Sequence, residues 1–261
     1  MVAFGENMPL DLLFVRDDDI PDLVEEDVCD LGLVGLNVVA EKSLELAAKG
    51  HPTRFEIVRA LEFGRCRLSI AVPENFSYDG VRSLAGKRIA TTYPYLLGKF
   101  LTDNGIDAEI VTLSGAVEIA PRLGRADAIC DLVSTGSTLL ANRLREVEKV
   151  LESHAVLIRT PVALPAGKRE WVERLLMRID GVQQVRESKY IMLHAPRSAL
   201  PAIRKLLPGS ESPTIIPLEG HPDRVAVHAV CRENVFWETL ESLKAAGASA
   251  LLVLPVEKML A

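Results

Sequence analysis

The 261-residue sequence is short of cysteine: only Cys29, Cys66, Cys130 and Cys231 are present, and no two form a C-x-x-C pair. That spacing excludes a zinc ribbon or a secreted disulfide scaffold and predicts reduced thiols in a cytoplasmic protein. An excess of cations is also missing. Lys and Arg number 30 against 36 Asp and Glu, a formal charge of −6, so nothing here is the footprint of a nucleic-acid partner. The histidines at 51, 154, 194, 221 and 228 have no metal-ligand spacing. No apolar run approaches the roughly 18 residues of a membrane span, and no basic stretch leads into an apolar core as in a secretory signal. Aromatic residues are few, 5% of the chain. Trp171 and Trp237 fall in amphipathic helical patterns that predict core positions.

What is present is an alternation of short apolar strands and helical patterns. "LDLLFVR" (10–16) reads as a strand, and "DDDIPDLVEED" (17–27) as a short helix with Asp at its start and Pro21 in its first turn. "CDLGLVG" is a strand, followed by the helix "LNVVAEKSLELAAKG", closed by Gly50. "RFEIVRALEF", "CRLSIAVP", "KRIATTY" and "AEIVTL" read as strands, "PYLLGKFLTDNG" and "AVEIAPRLG" as helices. Strands separated by helices in this way predict parallel sheets covered on both faces. The segments "EEDVCDLGLVG" and "LGRADAICDLVSTG" echo each other, which predicts two similar α/β lobes facing a cleft. From about Arg186 the order becomes βαββαβ, the ferredoxin-like plan.

"DAICDLVSTGSTLL" (127–140) carries the chemistry. A buried strand opens into Ser134, Thr135, Gly136, Ser137 and Thr138 before leucines resume. A phosphate monoester offers several acceptor oxygens and a double charge, and backbone N–H groups with hydroxyls satisfy them. Gly136 lets the backbone approach closely. Asp131 is suited to accept hydrogen bonds from sugar hydroxyls beside such a phosphate. The same hydroxyls also suit a plain helix cap.

The longer stretch "EIAPRLGRADAICDLVSTGSTL" resembles the signature of the ATP phosphoribosyltransferase family, through Glu118, Gly124, Ala126, Ile129, Asp131, Leu132, Thr135, Gly136, Thr138 and Leu139. The resemblance continues in "VRDDDIPDLVEEDVCDLGLVGLNVV", "GKRIATTYPYLLGKFL" and "ESPTIIPLEG", and runs through the βαββαβ segment as in the long form of the family. It implies an α/β fold with two periplasmic-binding-protein-like lobes and a C-terminal ferredoxin-like regulatory domain. Residues 1–65 with 153–185 would form the first lobe, 66–152 the second, and 186–261 the regulatory domain.

The implied reaction joins N1 of ATP to C1 of phosphoribosyl pyrophosphate and releases pyrophosphate, with Mg2+ required. It is the first step of histidine biosynthesis, inhibited by histidine. By resemblance, Ser134 to Thr138 hold the 5-phosphate, and Glu118 and Asp131 hold the ribose hydroxyls. Arg16, Asn37 and Tyr93 lie on the ATP side, and His194, Thr214 and Ala250 in the histidine site. The family also implies dimers that assemble into hexamers. Members of the family carry a strand, a basic Gly-rich turn and a helix ahead of the segment matching "ENMPLDLLFVR". A chain without them is expected to be a fragment or a mis-started sequence, or to repair the fold in another way. The alternative reading of its function is a non-catalytic ligand-binding or regulatory relative that kept the cleft but lost turnover.

Overall fold

The computed structural model describes residues 1–185, 188–207 and 212–257. The chain divides into two compact units, Met1–Ala163 and Leu164–Ala261.

Unit 1 begins with an exposed antiparallel hairpin of β1 (Val2–Phe4) and β2 (Asp11–Leu13). The expected strand over 10–16 is thus shorter and pairs locally. Helix α1 (Ile20–Glu25) follows a 3-10 turn at Asp17–Asp19 and has Pro21 in its first turn. Next come β3 (Leu31–Gly35) and α2 (Leu36–Ala48). This helix buries Val38, Val39 and Leu46 and ends at Gly50, whose φ of 75° is the left-handed C-terminal turn that glycine adopts without strain. β4 (Glu56–Ala60) and β5 (Cys66–Pro73) lead to β6 (Arg88–Thr91), α3 (Pro94–Asp103), β7 (Glu109–Thr112), β8 (Ala128–Val133) and the one-turn helix α4 (Ser137–Ala141). β9 (Leu144–Ser153) and β10 (Ala155–Arg159) complete the unit.

These strands form two sheets, ordered β3-β10-β4 and β7-β6-β8-β5-β9. The expectation of parallel sheets holds only for β7-β6-β8; every other pairing in the unit is antiparallel. The long strand β9 returns along β5 and passes directly through Ser153 into β10 of the other sheet, and this return reverses the local direction. A second difference lies at "AVEIAPRLG", where the expected helix is only a 3-10 turn, Val117–Ile119. Pro121 and Gly124, with φ of 68°, break the helical pattern within a turn of its start.

The larger sheet buries side chains on both faces. Leu68, Ile70, Ile89, Ala128 and Cys130 pack against α3, while Ala71, Ala90, Ile129 and Val133 pack with Val117 and Leu139.

Unit 2 contains α5 (Ala166–Val185), β11 (Ser188–Pro196), α6 (Leu200–Leu206), β12 (Thr214–Leu218), β13 (His221–Arg232), α7 (Glu233–Ala245) and β14 (Ser249–Pro255). Its sheet is antiparallel and ordered β12-β13-β11-β14, the ferredoxin-like arrangement expected from βαββαβ. Ile191, Leu193, Ala195, Val225 and Val227 form one buried face. Helix α5, expected with the first lobe, groups with this unit. Residues 209–211 of "GSESPT" lie outside the described residues. Neither tryptophan is core. Trp171 is exposed with the Arg174 guanidinium 5.1 Å over its ring, and Trp237 is 65% exposed. No described helix is long and apolar enough to cross a membrane.

Candidate functional site

Strands β7, β6 and β8 are parallel neighbours, so the loops that leave them open on one edge of the sheet. The carboxyl ends of parallel strands are where α/β sheets place ligands. The loop after β6 carries Tyr93, the loop after β7 carries Glu118, and the end of β8 carries Asp131 and the hydroxyl loop.

Each loop has a local cause. After β7, Gly115 (φ 143°) and Ala116 (φ 51°) turn the chain sharply into the 3-10 turn that presents Glu118. A left-handed alanine costs about 1–2 kcal/mol, and such strain collects where a loop is held in place for function. Asp131 is half-buried in β8, and its Oδ1 accepts the Leu132 N–H at 2.8 Å. Burial pushes the Asp131 carboxyl above its usual range and the charge of Glu118 pushes it further, against the pull of that N–H. The two carboxylates predicted for the ribose therefore lie close enough to feel each other.

The hydroxyl loop is exposed at Ser134, Thr135, Ser137 and Thr138. Within it, Thr135 Oγ1 lies 3.1 Å from Ser137 Oγ and accepts the Ser137 N–H at 3.5 Å. Gly136 has a φ of 83°, and a Cβ built on it would approach only Val133, at 4.0 Å. Glycine is needed here for the backbone turn and for an open approach, not for internal packing.

The candidates on the other side are arranged differently. Asn37 and Tyr93 are buried and bonded to each other: Asn37 Nδ2 donates to the Tyr93 hydroxyl at 2.9 Å. Ser153 Oγ donates to Asn37 Oδ1 at 2.7 Å and accepts the Asn37 N–H at 3.0 Å. Both polar ends of the Asn37 amide are thus used internally, where the sheets meet. Burial pushes the Tyr93 hydroxyl pKa well up, and Asp17, Asp18 and Asp131 add to the rise. The 3-10 turn Asp17–Asp19, which follows Arg16, is therefore within electrostatic reach of Tyr93. Arg16 itself is exposed, 3.8 Å from Asp18.

In unit 2, His194 on β11 pairs with Ser249 on β14, next to Ala250, whose φ of 49° sits at a register shift. Thr214 begins β12, at the opposite edge of the sheet. Three strand spacings of about 4.8 Å separate the two edges. One chain therefore brings His194 and Ala250 together but not Thr214.

Four residues near the site escaped the sequence reading: Arg67, Ser69, Glu146 and Ser153. Arg67 binds both oxygens of Glu146, each at 2.5 Å, and Ser69 Oγ donates to the same carboxylate at 2.8 Å. Polar Arg67 and Ser69 at alternate positions of the otherwise apolar "CRLSIAVP" were the available signal.

The sequence profile described as ATP phosphoribosyltransferase matches residues 16–181, and the profile of the HisG C-terminal domain matches residues 186–258. A solved ATP phosphoribosyl transferase (HisG:HisZ) complex from Thermotoga maritima is similar at 26% identity and a TM-score of 0.58, over 70% of this chain and 84% of that one. The alkanesulfonate-binding protein SsuA from Xanthomonas axonopodis pv. citri, bound to MOPS, aligns at 20% identity and a TM-score of 0.45, over 64% of this chain and 60% of that one.

Proposed function

This chain belongs to the ATP phosphoribosyltransferase family, the pentosyltransferases of histidine biosynthesis, and we propose that Ser134–Thr138 holds the 5-phosphate of its phosphoribosyl pyrophosphate. The observation that carries this reading is the gathering of Tyr93, Glu118, Asp131 and the hydroxyl loop at the carboxyl ends of β6, β7 and β8.

In this reading the loop binds by N–H groups and hydroxyls around Gly136, with no side-chain cation of its own. Glu118 and Asp131 accept the ribose hydroxyls. Asp131, whose carboxyl is pushed up by burial, becomes easier to keep charged once a ligand supplies donors. N1 of the ATP adenine forms a bond to C1 of the ribose as the C1–O bond to pyrophosphate breaks, and the ribose gains oxocarbenium character. The same carboxylates stabilise that charge, so catalysis rests on positioning and electrostatics. Mg2+ offsets the charge of the leaving pyrophosphate. Such an ion would be carried in on the diphosphate, with hard oxygen ligands.

ATP lies on the Tyr93 side, with Arg16 as the exposed cation for its phosphates. Asn37 supports Tyr93 from behind. Histidine binds unit 2 as a feedback inhibitor, through His194 and Ala250 of one copy and Thr214 of another. The separation of Ala250 and Thr214 on opposite edge strands, with His194 on the strand beside Ala250, supports a site shared between copies, as dimers and hexamers would provide. The setting is cytoplasmic.

The test is product formation. ATP and phosphoribosyl pyrophosphate with Mg2+ should give N1-phosphoribosyl-ATP, and Asp131→Asn should lower kcat/KM at least tenfold. Full activity in that variant would remove the ribose assignment.

A further inference from the structure

Arg67 stands one strand away from the hydroxyl loop and was not a candidate for any role. Its position on β5 is opposite Val133 of β8, the last strand residue before the loop. Its guanidinium is divided between two tasks. Nε and Nη2 hold both oxygens of Glu146, and Nη1 donates to the Ser134 carbonyl at 3.2 Å. Glu146 is itself fixed by the buried Ser69 hydroxyl. Guanidinium has the rigid fork needed to serve a carboxylate and a carbonyl at once.

The consequence for the loop follows from peptide geometry. No described peptide is cis, and in a planar trans peptide the C=O and the next N–H point in opposite directions. Drawing the Ser134 carbonyl back toward Arg67 therefore turns the Thr135 N–H outward, away from the sheet. Gly136, at a φ of 83°, follows directly and continues the turn. We propose that Arg67 is a positioning residue for the substrate phosphate: through the Ser134 carbonyl it presets the first N–H donor of the loop. This inference rests on the reading that the loop holds the 5-phosphate. Because Glu146 neutralises Arg67, the contribution is orientation rather than charge, and the loop need not reorganise when the ligand arrives.

The pairing dictates the variants. Arg67→Met alone would leave the Glu146 carboxylate unpaired beside a bound dianion, mixing repulsion with lost positioning. The double variant Arg67→Met/Glu146→Gln removes both charges and isolates the positioning. Calorimetry on the full chain would measure phosphoribosyl pyrophosphate and ATP separately, with Gly136→Val as a reference and thermal unfolding as a check on folding. The double variant should bind phosphoribosyl pyrophosphate about tenfold more weakly, a change of about 1.4 kcal/mol, and ATP within about twofold of the wild type. Glu146→Gln alone leaves the Ser134 contact in place and should bind phosphoribosyl pyrophosphate at least as well as wild type. Arg67→Lys, whose single ammonium cannot serve both partners, should fall between wild type and the double variant.

If the double variant binds like wild type while Gly136→Val does not, the role of Arg67 is refuted and the loop assignment survives. Equal loss of both ligands with a lowered melting temperature would make Arg67 merely structural and also refute it. If neither variant changes phosphoribosyl pyrophosphate binding, the loop assignment itself has failed.

Discussion

Asn37 donates through its amide to the Tyr93 hydroxyl at 2.9 Å, and so ties the start of α2 to the residue that precedes α3. Ser153 closes the arrangement from the point where β9 becomes β10, 116 residues from Asn37 in sequence. The three side chains stand where the chain crosses between the two sheets of unit 1, and all are buried. Glu41 adds a second tie from α2, accepting the Tyr95 and Leu96 N–H groups of α3 at 2.8 Å each.

Breaking this tie should cost stability. Tyr93→Phe removes the acceptor of a buried amide and should lower the unfolding free energy by about 1–2 kcal/mol. Asn37→Ala strips partners from Tyr93 and Ser153 together and should cost about 2–3 kcal/mol. Chemical denaturation checks both. If Asn37→Ala unfolds at the wild-type denaturant concentration, the amide is not a structural tie.

A pH prediction follows from Asp131. Its carboxyl is pushed up by burial first and by Glu118 second, so the folded state binds its proton more tightly than the unfolded state does. Stability from this group falls as pH rises through the interval between the two values, because the charged form is the one the fold penalises. At neutral pH Asp131→Asn should therefore be as stable as wild type or more so. The difference should shrink as pH drops below the normal aspartate range, where both proteins carry a neutral group. Thermal midpoints across pH 3–8 would show it. A variant less stable than wild type at pH 7 would mean that the carboxylate is stabilised by partners the fold supplies.

Much of this arrangement was legible in the sequence, for reasons that can be named. The apolar run at 128–133 leading into hydroxyls fixed β8 and its loop, and βαββαβ named the plan of unit 2. Two things were hidden. β9 reads "LREVEKVLES", an edge strand whose charged alternation lacks the apolar run that marked its neighbours. Missing it concealed the antiparallel return beside β5 and with it Glu146, the partner of Arg67. The second was Asn37, which looks like an ordinary helix-start amide until Ser153 arrives from far along the chain. Local pattern cannot report a contact of that sequence separation. Trp171 and Trp237 erred the other way, since an amphipathic pattern does not say how far a helix face extends over its sheet.

Histidine added to the full chain should raise its melting temperature, by an amount that grows with the logarithm of concentration as for any native-state ligand. Thr214→Arg should remove the shift and leave phosphoribosyl pyrophosphate binding intact, since Thr214 and the hydroxyl loop lie in different units. A shift preserved in Thr214→Arg would displace Thr214 from the effector site. Light scattering in the same samples should show an oligomer whose mass rises with histidine.

The central claim is that the loop after β8 grips the 5-phosphate through a backbone that only glycine leaves open. The direct measurement is calorimetric titration of phosphoribosyl pyrophosphate into wild type and into Gly136→Val. Valine at a φ of 83° strains the turn by about 1–2 kcal/mol and places its methyl groups where the ligand must approach. The account predicts a variant that still folds, still binds ATP, and has lost at least a hundredfold in affinity, about 2.7 kcal/mol, for phosphoribosyl pyrophosphate. A folded Gly136→Val protein that binds phosphoribosyl pyrophosphate as tightly as wild type would contradict it.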